Sequence, residues 1–202
     1  FECGRQPFSV VPAAIQPGDA CTIYDLLANK KVLILAGPST NLEDADAILG
    51  LSNIFHAPIL GDPLSNMRRV YDERVITSYD ALLSQEVYRD TLRPDCILQI
   101  GQMVVSKRVQ QWVASMQHIP IISVSPTMDY TNPAGNTILF VQSTPQGLVD
   151  ALNMEISELH VMANEVHAEV ADEELNTVDN GYLATWIDAD GVGRKQLDTV
   201  AR

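Results

Sequence analysis

Apolar runs of strand length alternate with helix-period segments along most of this chain. Val32–Ala36 (VLILA) ends at Gly37-Pro38-Ser39-Thr40, and a helical stretch follows through Ile54. Pro58–Gly61 predicts a second strand, closed by the polar loop Asp62–Arg69, and Tyr79–Leu83 and Glu86–Leu92 predict short helices. Asp95–Gly101 predicts a third strand, and Ser106–Met116 a helix whose Val109, Trp112, Val113 and Met116 repeat at core-facing spacing. Ile119–Val124 and Thr137–Val141 predict two more strands, the last after a loop rich in Pro, Asn and Gly. Strands that are apolar throughout are buried on both faces, and their alternation with helices is the signature of βαβ units. The expected class is α/β, a doubly wound parallel sheet with C-terminal helices.

Both ends break the pattern. Residues 1–29 carry Pro7, Pro12, Pro17 and Gly18 and read as an extended lead-in ending in a short helical turn near Ile23–Leu27. Beyond the α/β domain of residues 30–153, residues 154–202 read as a helical extension. Leu152, Ile156, Leu159, Ala163, Val166 and Val170 form one apolar stripe, too short for a coiled coil and suited to packing. Asp172–Gly181 is an acidic, turn-prone break before a second helix, Tyr182–Ala201, weakened by Gly191 and Gly193.

Composition narrows the classes. With 46% hydrophobic and 19% charged residues in 202, a buried core is expected and disorder is not. The longest apolar runs, KVLILAG and IPIISV, fall far short of the roughly 20 residues that span a bilayer. The opening Phe1-Glu2-Cys3-Gly4-Arg5 lacks an apolar targeting region, so a soluble, cytoplasmic protein is expected. The absence of Met at position 1 suggests a fragment or processed chain. A net charge of −13 repels phosphate backbones, which argues against nucleic acid or an anionic membrane as partner. Much of the acid lies in the last third, including Glu155, Glu158, Glu165 and Asp172–Glu174, and reads as a solvated helix face. Cys3, Cys21 and Cys96 lack metal or redox spacing, and Cys96 sits in a strand as a small core residue. The four histidines form no metal motif, so no metal is expected in this chain.

In an open parallel sheet, ligands bind outside the carboxyl ends of the strands, which singles out three loops. Gly37-Pro38-Ser39-Thr40 lacks the glycine fingerprints of dinucleotide and P-loop sites, and Pro38 removes an N–H that could cradle phosphate. It reads as a turn and helix cap. The loop Gly61–Arg69 offers Asp62, Asn66 and Arg68, either as a turn closed on its own backbone or as a functional contact. In the third loop Ser106 is a candidate N-cap that puts Lys107 and Arg108 in the first helical turn. Cations there oppose the helix dipole at a cost of about 0.3–1 kcal/mol each. Either both side chains point into solvent, or they and the free N–H groups form an anion site for a carboxylate or phosphate. No general acid/base pair, GxSxG elbow or Cys/His arrangement is present, so no catalytic residue is assigned.

The same loops carry a resemblance. Pro58–Arg68 (PILGDPLSNMR), Leu92–Asp95 (LRPD) and Ile100–Trp112 (IGQMVVSKRVQQW) stand in an order and at separations similar to the central domain of one enzyme family. These are the 2-succinyl-5-enolpyruvyl-6-hydroxy-3-cyclohexene-1-carboxylate synthases of menaquinone biosynthesis. The resemblance covers about residues 30–150, and Tyr182–Ala201 is similar to the helix that leads into the family's C-terminal domain. It implies a Rossmann-like middle domain that has lost its nucleotide, between a pyrimidine-binding and a diphosphate-binding domain of the same polypeptide. It further implies a transferase that decarboxylates 2-oxoglutarate on thiamine diphosphate with Mg²⁺ or Mn²⁺ and adds the carbanion to isochorismate, as a homodimer or homotetramer. On that resemblance Lys107, Arg108 and Ser106 are substrate-binding, Lys107 foremost, and Asp62, Asn66 and Arg68 are candidate loop contacts. The chain lacks the family's GDG followed by a distant Asn, so these residues are expected to bind no cofactor and not to catalyse alone. Two other readings stay open: a nucleotide- or effector-binding module, and a domain for oligomer contacts.

Overall fold

Val32–Ala36 is buried at all five positions and pairs on both edges, which places it inside the sheet. The computed structural model describes residues 9–11, 15–38, 44–127, 132, 135–166 and 181–200. In chain order these form β1 (Ser9–Val11), α1 (Pro17–Leu27), β2 (Val32–Ala36), α2 (Asp44–Phe55), β3 (Ile59–Gly61), β4 (Val75–Ile76), α3 (Tyr79–Leu82), α4 (Glu86–Thr91), β5 (Cys96–Ile100), α5 (Lys107–Ser115), β6 (Ile121–Val124), β7 (Thr137–Val141), α6 (Pro145–Val166) and α7 (Tyr182–Val200). Among the described residues seven strands make one sheet, ordered β1-β7-β6-β5-β2-β3-β4, and every pairing is parallel. The doubly wound parallel sheet expected from the apolar runs is thus observed. The chain winds outward from β2 in one direction, then returns to β5 on its other side, so the topological switch lies between β2 and β5.

The period-two alternation of strand side chains divides the core into two layers. Val32, Ile34, Leu98 and Ile122 pack with α1, α2 and α6. Leu33, Leu35, Ile97 and Ile121 pack on the opposite face with Tyr79 of α3, Trp112 of α5 and Trp186 of α7. The expected core positions of α5, Val109, Trp112, Val113 and Met116, are all buried.

The departures from expectation lie at the ends. In place of a turn at Ile23–Leu27, α1 is an eleven-residue helix. Pro17 stands in its first turn, where a missing N–H costs nothing and a fixed φ suits the helix, so a residue read as a breaker is a helix start. β1 and β4, three and two residues long, are too short to leave a periodic signal. α6 packs on α1 and α2 and runs unbroken across positions 153 and 154. Glu155, read as part of a solvated face, is buried where α6 meets α1, because that stretch of helix is covered. Val170 and 172–180 lie outside the described residues.

α7 is held to the sheet domain by aromatic packing and one carboxylate. Trp186 is fully buried and meets Trp112 and Tyr182 edge-on, with ring centroids 6.3 and 6.4 Å away. The Tyr182 hydroxyl donates to the Leu92 carbonyl at 2.8 Å. One turn on, buried Asp190 accepts from the Ser78 amide at 2.8 Å and its hydroxyl at 2.6 Å, at the start of α3. Gly193 lies so close that a Cβ there would sit 2.4 Å from Ser78 Oγ.

Candidate functional site

The carboxyl ends of β2 and β5 open into a cleft of about 770 Å³, lined among others by Gly37, Pro38, Asp44, Gly101, Gln102 and Thr127. This is the switch-point crevice of an open α/β sheet. Its narrow floor depends on Gly37, whose amide donates to the Ile100 carbonyl at 3.0 Å; a Cβ there would lie 1.6 Å from the Gln102 carbonyl oxygen. Gly101 adopts φ +71°, turning the chain away from β5 towards α5. Among the described lining residues there is one acid, Asp44, and no cation. Pro38, Pro126 and Pro145 contribute no N–H, so the described lining is poorly suited to phosphate. Ser39 and Thr40 lie outside the described residues.

The second and third loops meet beside the cleft through one side chain. Asp62, fully buried at the end of β3, accepts from the Leu64 amide on Oδ1 at 2.8 Å and from the Val105 amide on Oδ2 at 2.7 Å. Its carbonyl also accepts from the Ser65 hydroxyl at 2.7 Å. The turn, one of the two readings open for Asp62, is therefore present, and the second Asp62 oxygen reaches across 43 residues to the α5 loop. Asn66 takes φ 61°, the left-handed conformation that leads into the short 3-10 helix Met67–Arg69. Arg68 is exposed but turned inward: Nε donates to the Gly61 carbonyl at 3.4 Å, and the guanidinium lies 5.8 Å from the centre of the Tyr79 ring. Burial pushes the Tyr79 hydroxyl above its ordinary value, and Arg68 opposes that shift.

At the start of α5 the two cations have different fates. Ser106 Oγ accepts from the Val109 amide at 3.2 Å, which makes it the N-cap expected from the sequence, and donates to Asp80 Oδ1 at 2.7 Å. Arg108 donates to the Asp80 carbonyl at 2.5 Å, with its guanidinium 3.9 Å from the Asp80 carboxylate. Asp80, which sequence reasoning did not single out, thus supplies the negative charge this helix start lacks. It lies 26 residues before Ser106, and no local spacing joins the two. The Lys107 side chain is exposed and makes no hydrogen bond or ion pair among the described residues. Its amide and that of Arg108 are first-turn donors without an acceptor there. Lys107 and two N–H groups are thus left without partners among the described residues, with Ser106 and Arg108 holding the helix start in place.

Residues 11–177 match the protein family described as "Middle domain of thiamine pyrophosphate". The chain belongs to this family. Its parallel sheet and flanking helices are the Rossmann-like architecture of a thiamine-pyrophosphate-enzyme middle domain. The chain is also similar to curated 2-succinyl-5-enolpyruvyl-6-hydroxy-3-cyclohexene-1-carboxylate synthases. The synthase of Lactococcus lactis subsp. cremoris is 33% identical over 203 positions, covering 100% of this chain and 32% of the relative. That of Lactococcus lactis subsp. lactis is 44% identical over 119 positions, 59% of this chain and 21% of the relative. That of Bacillus pumilus is 32% identical over 124 positions, with 60% and 21% covered. The resemblance carried by Pro58–Arg68, Leu92–Asp95 and Ile100–Trp112 is thereby borne out. The chain spans 21–32% of the length of these curated relatives.

The described residues do not fit thiamine diphosphate and its metal. Among the described residues no three His, Cys, Asp or Glu side chains cluster to hold a metal, and the cleft presents no cation to a diphosphate. No helix among them is long and apolar enough to cross a membrane.

Proposed function

We propose that this chain serves as the middle domain of a longer synthase that decarboxylates 2-oxoglutarate and joins the product carbon to isochorismate, and that its direct part is to bind the acidic substrate at Lys107. Thiamine diphosphate with Mg²⁺ or Mn²⁺, held by other domains of the polypeptide, would supply the decarboxylation and the carbon nucleophile. The observation that carries the substrate contact is the state of Lys107: unpaired among the described residues, at a helix N-terminus whose first amides are also unpaired. A carboxylate there gains an ion pair, two N–H donors and the positive end of the helix dipole together. Arg108 supports the site at one remove, because its guanidinium is already engaged by Asp80. Asn66 and Arg68 shape the neighbouring turn. We place the whole protein in the cytoplasm, as a homodimer or homotetramer.

The test is made on the full-length protein. Purified enzyme should consume 2-oxoglutarate and isochorismate together, and failure to do so refutes the reading. Lys107→Ala should raise the KM for isochorismate by about tenfold, the scale expected when a charge-assisted hydrogen bond to substrate is lost. An unchanged KM removes the role given to Lys107.

A second reading rests on the switch-point cleft, whose size lies within the range of small-molecule sites. A neutral or weakly charged effector suits its described lining better than a nucleotide does. Calorimetry with NAD, FAD and ATP tests a nucleotide in this cleft, and calorimetry with uncharged small molecules tests an effector; tight binding of either that Lys107→Ala leaves unchanged supports this second reading, because the first expects none.

A further inference from the structure

Asp62 is the described residue through which the second and third loops are joined by a buried carboxylate. It is fully buried, and its side-chain partners are two backbone amides, Leu64 at 2.8 Å and Val105 at 2.7 Å. Val105 stands two residues before Lys107, and Ser106 between them caps α5. The path of the chain into Lys107 is therefore held from one side by Asp62 through Val105 and from the other by Asp80 through Ser106. The two holds differ in strength. The Asp80 side chain is 57% exposed, so water competes for its bonds, whereas that of Asp62 is closed to solvent. A carboxylate suits position 62 because each oxygen faces an N–H; an amide would turn its NH₂ towards one of those donors.

We propose that Asp62 is a positioning residue for substrate binding: its buried carboxylate fixes the Val105 amide and so sets where Lys107 stands, without touching substrate. The proposal rests on the reading of Lys107 as the anion contact. It makes the turn Asp62–Ser65 part of the binding apparatus, although its side chains need not reach the ligand. The exposed apolar side chains of Leu64 and Val105, 61% and 55% accessible, are carried on the two amides that Asp62 holds.

The experiment is a double-mutant cycle in the full-length enzyme with Asp62→Asn and Lys107→Ala, read as KM for isochorismate and kcat separately. Asp62→Asn should raise KM by about tenfold and leave kcat within about twofold, since one charged hydrogen bond is replaced by a repulsive contact. In the Lys107→Ala background the same substitution should add no further rise. An unchanged KM in Asp62→Asn, with a raised KM in Lys107→Ala, overturns the positioning role and leaves the Lys107 reading standing. An unchanged KM in Lys107→Ala overturns that reading instead. Independent rises that add in the double variant also overturn the proposal, because Asp62 would then act by another route. Amide hydrogen exchange on the unaltered enzyme guards against a variant that does not fold. The Val105 amide should be protected well above its loop neighbours, and fast exchange there removes the clamp on which the proposal stands.

Discussion

Asp190→Ala should detach α7 from the sheet domain, and its cost can be worked from the contacts it removes. The Asp190 carboxylate accepts from Thr77 N at 3.2 Å, Ser78 N at 2.8 Å, Ser78 Oγ at 2.6 Å and Arg194 Nε at 2.5 Å. The Ser78 amide is buried and finds no water when the carboxylate goes, which costs about 1–3 kcal/mol. Thr77 is only part-buried, so its amide recovers a water partner and adds less. The Arg194 side chain is 51% exposed, and its ion pair contributes at most about 1 kcal/mol. With the lost packing of a buried side chain, the total comes to about 3–5 kcal/mol. That is a large part of the roughly 5–15 kcal/mol that holds a domain folded. Urea unfolding of the chain followed by tryptophan fluorescence reads this directly, because both tryptophans, Trp112 and Trp186, pack in the cluster that α7 closes. Arg194→Ala serves as the control and should cost no more than about 1 kcal/mol. A loss below about 1 kcal/mol for Asp190→Ala, or equal losses for the two variants, would refute the reasoning.

Three further outcomes are expected. Gly37→Ala places a Cβ 1.6 Å from the Gln102 carbonyl oxygen, where only backbone movement relieves the overlap; a loss of about 3 kcal/mol or more in urea unfolding, or no soluble protein, should follow. Ser106→Ala removes the N-cap of α5 and the bond to Asp80, and should cost about 1–2 kcal/mol by thermal melting, whereas Lys107→Ala should stay within about 0.5 kcal/mol. Burial pushes the Cys96 thiol from its ordinary 9.0 up to about 12, so the folded state keeps a proton that the unfolded chain loses. Its contribution to stability is therefore full below pH 9.0 and falls as pH rises towards about 12. In the native chain at neutral pH, iodoacetamide should spare Cys96, which is fully buried, and react at the half-buried Cys21; equal labelling by mass spectrometry would contradict this.

Much of the architecture was legible in the sequence because its signals are local. Val32–Ala36, Cys96–Ile100, Ile121–Val124 and Thr137–Val141 are strand-length runs that are apolar but for Gln99, Ser123 and Thr137, and such near-continuous apolarity leaves a strand no solvent face. The spacing of Val109, Trp112, Val113 and Met116 announced the buried face of α5, and Ser106 its cap, because both depend on residues within one or two turns. The order of the loop motifs also sufficed to place the chain in its family. Which charges stay free was decided only by tertiary structure. Asp62 reads locally as a turn residue, and its second oxygen meets Val105 only once β3 and β5 lie on either side of β2. Asp80 has no sequence relation to Arg108, yet packing brings them together and, of the two cations at the start of α5, leaves Lys107 unpaired among the described residues. A hydrogen bond or ion pair depends on distance in space, and for residues 28 or 43 positions apart that distance comes from the order of the strands rather than from the spacing of the letters.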